Sequence, residues 1–164
     1  EHALVCFDPN ARPSIMGEPA TALASLERFI ALADVVKVSD EDIEWLTGGA
    51  PSDEVVDRWL GMGPSLVVVT RGKHGSDVAT ASGVRFTKTP GDVEVVDTVG
   101  AGDSFMGGMI DAMWGMGLRG ADARKALRSL PEEQVRAIID RASAVSDVTV
   151  SRKGANPPWA HELS

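Results

Sequence analysis

Val95-Val96-Asp97-Thr98-Val99-Gly100-Ala101-Gly102-Asp103-Ser104-Phe105-Met106-Gly107-Gly108 changes its periodicity halfway along. Val93, Val95 and Val96 form a β-branched run suited to a strand. Gly100 and Gly102 then punctuate a tight turn, where a bare α-carbon lets backbone approach a ligand closely. From Asp103 onward Met106, Met109, Ile110, Met113 and Met116 recur at helical spacing. The pattern predicts strand, glycine turn, helix. A helix start carries unsatisfied N–H groups and a partial positive charge, so residues 100–103 can aim donors at an anion. Asp103 sets a carboxylate beside that anion, able to take a proton from a hydroxyl that attacks a phosphoryl group. For a bare Gly-x-Gly-Asp, plain helix capping is the competing reading. The dinucleotide fingerprint is excluded, because its third glycine would stand at Phe105, and no Gly-Lys-Ser/Thr has P-loop spacing.

Asp97-Thr-Val-Gly-Ala-Gly-Asp103-Ser-Phe-Met-Gly-Gly108 resembles the C-terminal signature of the PfkB (ribokinase-like) carbohydrate kinases. The resemblance implies Asp103 as the catalytic base, with Gly100, Ala101 and Gly102 as the anion hole for the transferred phosphoryl group. It implies an α/β fold of three layers, α/β/α, around a mostly parallel sheet.

With 164 residues the chain can bury a substantial core, and its 24 acidic against 16 basic side chains give a net charge of −8. That balance argues against a nucleic-acid partner. No apolar run is long enough for a membrane span, and Glu1-His-Ala-Leu-Val has none of the features of a signal peptide. Cys6 is the single cysteine, which excludes an internal disulfide and fits a reducing cytoplasm. His2, His74 and His161 share no metal-ligand spacing with each other or with Cys6, so no zinc site is predicted.

Ala3–Phe7 reads as a buried strand ending in the loop Asp8-Pro-Asn10-Ala-Arg12-Pro13. This loop is similar to that of fructokinase-like and ketodeoxygluconate-kinase-like members, which places Asn10 and Arg12 near the transferred phosphate. Thr21–Ala33 has a helical apolar face, and Val35, Val36 and Val38 make the next strand. Ser39 is a good N-cap for a helix whose first turn is acidic and whose stop is Gly48. The family carries an Asn-x-x-Glu pattern here, associated with hydrated magnesium. Aligned on it, Ser39 and Asp42 take the two positions, with Lys37 two residues earlier, as in fructokinase-like members. Lys37 and Ser39 are therefore expected at the nucleotide, and Asp42 at magnesium through water.

Ser52–Leu60 reads as an amphipathic helix and Leu66–Thr70 as a buried strand. Thr70-Arg-Gly72-Lys-His-Gly75 resembles the family's Thr-x-Gly-x-x-Gly, which lines the nucleotide; by itself it also reads as a turn before the hairpin strands 77–81 and 84–89. Ala121–Ser129 reads as a short helix, and a longer one follows Pro131. Ser143 on that helix falls where the family lines the base, and Asp147 interrupts a usually alanine-rich run. The tail 148–158 resembles the closing segment whose backbone helps wrap a monovalent cation, potassium being the expected ion, with Asp97 and Val99 opposite.

Together the motifs cover nearly the whole chain and imply ATP-dependent phosphorylation of a sugar hydroxyl, with ATP and magnesium as cofactors. Fructose is the expected sugar and ketodeoxygluconate its rival; the resemblance leaves a homodimer open. Family members are commonly much longer. Residues 1–164 are therefore expected to form a partial domain, the C-terminal nucleotide-binding and catalytic portion, with the N-terminal sugar-binding and lid portion absent. A nucleotide-binding module without turnover is the alternative.

Overall fold

The computed structural model describes residues 3–120 and 122–163. In chain order the elements are β1 (Cys6–Phe7), α1 (Pro13–Met16), α2 (Pro19–Ile30), β2 (Val35–Ser39), α3 (Asp40–Thr47), α4 (Ser52–Leu60), β3 (Leu66–Thr70), β4 (Ser76–Thr80), β5 (Arg85–Lys88), α5 (Ala101–Gly115), α6 (Ala123–Arg128) and α7 (Glu132–Val150). The five strands form one sheet in sequence order. β1, β2 and β3 pair in parallel, β4 runs antiparallel to β3, and β5 is antiparallel to β4 and so rejoins the first three. Four of the five strands thus point one way, and the sheet is mostly parallel.

Side-chain alternation along β2 and β3 sorts their residues into two cores. Val35, Leu66 and Val68 face Phe105, Met109 and Met113 of α5 and Ile138, Ile139 and Ala142 of α7. Val36, Val38, Val67 and Val69 face Ile30 of α2, Ile43 of α3 and Val55, Val56 and Trp59 of α4. Both strands are near-continuous apolar runs because both of their faces are covered, which makes the expected three layers. Full burial of one such valine contributes on the order of 1.5–3 kcal/mol. Lys37 breaks the run: it occupies the α5 side of β2 and is only 5% exposed.

α5 and α7 lie so close that a Cβ on Gly108 would sit 2.7 Å from the Ala142 Cα. The signature's last glycine is therefore needed for helix–helix approach. Gly108→Ala is expected to cost about 1–3 kcal/mol by overpacking, read as an earlier midpoint in urea unfolding with the same slope.

Three expectations are corrected. Val93–Val96 is not a strand: no sheet neighbour lies beside it, and Val95 and Val96 are 56% and 58% exposed. The amides of Val96 and Asp97 instead donate to the Val150 carbonyl at 2.8 and 3.1 Å, capping the last turn of α7. The first strand is shorter than Ala3–Phe7, with only Cys6 and Phe7 in the ladder and Val5 exposed at the sheet edge. Val148–Val150 belongs to α7, so the tail starts at Ser151. Glu1, His2, Ala121 (the expected start of α6) and Ser164 lie outside the described residues.

Candidate active site

Because β1, β2 and β3 are parallel, their carboxyl ends meet at one sheet edge, where ligands of open α/β sheets sit. The register sets Phe7 beside Val36 and Ser39 beside Thr70, which brings the residues after each strand together. There Lys37 Nζ forms an ion pair with Asp8 Oδ2 at 2.7 Å, with side-chain exposures of 6% and 19%. Asp8 Oδ1 is buried with no hydrogen-bond partner. A Cβ on Gly102 would lie 2.7 Å from Lys37 Nζ. The ammonium therefore sits directly beneath the glycine turn that starts α5.

Gly100 enters α5 with φ of 78°, the left-handed conformation that glycine adopts freely, and it packs on Ala155 of the tail. The Ala101 amide donates to the Thr98 carbonyl at 3.2 Å, so that donor is committed to the turn. Among the described residues, no acceptor of the chain takes the amides of Gly100, Gly102 or Asp103. These are the orphan donors of a helix N-terminus. Asp103 follows in the first turn, exposed, its carboxylate with no hydrogen bond or ion pair from the described residues. Ser104 and Ser146 hydroxyls both donate to the Ala101 carbonyl, at 3.1 and 3.3 Å, and brace the turn from below.

Beside the turn opens a cavity of about 130 Å³. Thr70, Gly72, Gly75 and Ser76 make one wall, and Ala101, Gly102 and Phe105 another. Ser143, Ser146 and Asp147 of α7 close it, with Lys88 and Pro90 at the rim. Six residues expected at the phosphoryl group and nucleotide (Thr70, Gly72, Gly75, Ala101, Gly102 and Ser143) thus share one cavity. Gly72 has open space where a Cβ would point, whereas Gly75 is bare because the Lys88 carbonyl presses against it. Ser76 is 2% exposed and its hydroxyl has no partner, so a donor and acceptor stand free in the cavity wall. No sequence pattern singled out Ser76, Lys88, Pro90 or Ser146. Asp8, by contrast, had a signal: an acid closing an apolar strand opposite a lysine inside another.

Asn10, Arg12, Ser39 and Asp42 stand at the same sheet edge but outside this cavity. Asn10 is exposed with φ of 42°, and Arg12 is exposed at the start of α1. The Ser39 hydroxyl accepts from the Asp42 amide at 3.0 Å, which gives it the capping task for α3. Among the described residues, no group of three or more His, Cys, Asp or Glu side chains converges as a metal cage. Asp42 offers one half-buried carboxylate, a donor set that suits magnesium held mostly by water and phosphates.

Asp97 accepts from the Val99 amide at 3.0 Å and from the Gly154 amide at 2.9 Å, tying the turn to the tail. Those two amides hold its carboxyl below the usual range. Burial raises the Asp147 carboxyl, against the pull of the Gly91 amide and Lys88. Burial, with Asp34 nearby, pushes the Cys6 thiol up to about 11, which keeps it protonated and inert. No helix among the described residues is long and apolar enough to cross a membrane.

The three-layer α/β/α domain, with a glycine-rich helix start and a cavity at the carboxyl edge of its sheet, has the ribokinase-like fold of the solved structures that it superposes on. The model of the pfkB family carbohydrate kinases matches residues 1–162, and the chain belongs to that family. It is 37% identical over 111 residues to a fructokinase of Rhizobium leguminosarum bv. trifolii, across 67% of this chain and 33% of that protein. A fructokinase of Xylella fastidiosa with bound ATP superposes with a TM-score of 0.79 at 29% identity, over 94% of this chain and 48% of the other. A fructokinase double mutant of Vibrio cholerae O395, in a fructose, ADP and potassium ion bound form, gives 0.74 at 31% identity, over 93% and 46%. The chain spans less than half the length of each.

Proposed function

We propose that this chain is the nucleotide-binding and catalytic portion of an ATP-dependent sugar kinase acting on fructose, with sugar-contacting and lid residues supplied by a preceding segment. One convergence carries the reading: free helix-start amides, the buried Lys37 ammonium and a cavity with an unpartnered Ser76 hydroxyl lie together at the sheet edge. Likeness to the fructokinases named above supports the sugar.

In this reading ATP lies in the cavity, its base near Ser143 and its phosphates toward Gly102, with Thr70, Gly72 and Gly75 alongside. Ser39 serves by fixing the start of α3 beside the phosphates. The Asp103 carboxylate takes the proton of the sugar hydroxyl as its oxygen attacks the γ-phosphorus. The bond from that phosphorus to the β–γ bridging oxygen breaks, and ADP leaves. Charge on the transferred group is met by the amides of Gly100 and Gly102, held in place by the bound Ala101, and by Lys37. Asn10 and Arg12 face the same phosphate from the loop after β1. Asp42 would hold magnesium through water, and the ion would supply charge neutralisation at the phosphates. Asp97 and the Val99 carbonyl offer oxygens to potassium, which would stiffen the turn that they lead into.

The test is phosphate transfer from ATP by the full-length enzyme to fructose, ribose, ketodeoxygluconate and adenosine. Fructose is expected to be the best acceptor, and potassium to raise the rate over sodium. Transfer to none of the four would sink the kinase reading; equal rates in the two salts would remove only the cation.

A further inference from the structure

After β5 the chain runs along the rim of the cavity as Lys88-Thr89-Pro90-Gly91, outside any sheet beyond Lys88. Two neighbours grip this segment. On one side, a Cβ on Gly75 would overlap the Lys88 carbonyl and lie 3.2 Å from Pro90 Cδ. On the other side stands α7, which offers Asp140 and Asp147, seven residues and about two turns apart on one face. Asp140 pairs with Lys88 Nζ at 2.6 Å, but its carboxylate is 59% exposed, and pairs of that kind contribute little. The Asp147 carboxylate is half-buried and receives the backbone N–H of Gly91. The approach is so close that a Cβ on Gly91 would overlap Oδ2. Asp147 thus touches both the rim segment and the cavity.

We propose that Asp147 is a positioning residue of the nucleotide site, its carboxylate fastening Lys88–Gly91 to α7 so that Lys88 and Pro90 wall in the nucleotide. The inference rests on the cavity being the ATP site. A wall already in place spares the ligand the ordering of that segment on binding, so loss of the fastening weakens affinity more than chemistry.

The experiment compares ATP KM, kcat and melting temperature for full-length D147A, D147N and G91A against the unaltered enzyme. D147A and G91A are expected to raise KM for ATP about tenfold and far more than they lower kcat. D147N keeps an oxygen that accepts from Gly91 and is expected to recover most of the loss. Unchanged KM in D147A and G91A overturns the proposal. So does a fall in kcat and melting temperature together in every variant, the mark of a merely structural role. A D147N defect as large as that of D147A, with G91A normal, would overturn it in favour of a direct nucleotide contact. If D147A fails to fold, D147N and G91A decide. Absence of ATP-dependent turnover in the unaltered enzyme would overturn the ATP reading itself, a separate result.

Discussion

Asp103→Asn in the full-length enzyme is expected to lower kcat by about 10²–10⁴-fold while the dissociation constant for ATP stays within about threefold. Asp103 sits in the first turn of α5, exposed, and its carboxylate makes no hydrogen bond or ion pair with the described residues. Asn preserves its shape and leaves the turn intact, since the turn is held by Ala101, Ser104 and Ser146. Removing a carboxylate from a helix N-terminus costs roughly 0.3–1 kcal/mol in stability, too little to explain a large rate loss. The capping reading predicts the reverse: a small change in stability and nearly full turnover. Rapid-quench measurement of a single turnover separates the two, because product release then plays no part. A mutant that keeps most of the single-turnover rate would remove Asp103 as the base.

Features fixed by local chemistry were legible along the chain. α4 and β3 fall on the residues that periodicity and β-branching indicate, and Ser39 and Gly48 bound α3 as their capping chemistry demands. What needed long-range information was misplaced or missed. Val93–Val96 has the β-branched residues of an extended segment, but those residues do not say whether a neighbouring strand exists; its amides go to the end of α7. Gly75 is expected to line the nucleotide, and it does line the cavity, but the close approach that requires a glycine there is that of the Lys88 carbonyl, which no local pattern announces. Lys37 is singled out in the sequence only by the family resemblance, two residues before Ser39. Its partner Asp8 and its place under Gly102 follow only from the β1–β2 register and from α5 lying across that face.

That placement makes Lys37 the other site of large effect. Lys37→Met in the full-length enzyme is expected to destabilise the fold by about 3–5 kcal/mol, because it strands the Asp8 carboxylate in a buried place. Met fills the volume of the lysine stem, so the loss is electrostatic and no large cavity is created. Asp8 has little to fall back on: Oδ2 is held by Lys37, and Oδ1 has no partner. Asp8→Asn alone leaves the ammonium unpaired and is expected to cost a similar amount. The two changes together remove both charges, so the double variant is expected to be much more stable than the sum of the single losses implies, as coupled neighbours require. Activity should not return with stability. The Lys37 ammonium lies against Gly102, where it adds positive charge to the helix-start amides, and no pairing of neutral side chains replaces it. Urea unfolding and kcat/KM for ATP, measured on all four forms, separate the two roles. Recovery of both quantities in the double variant would reduce Lys37 to a packing residue; recovery of stability alone would assign its charge to the transferred phosphoryl group.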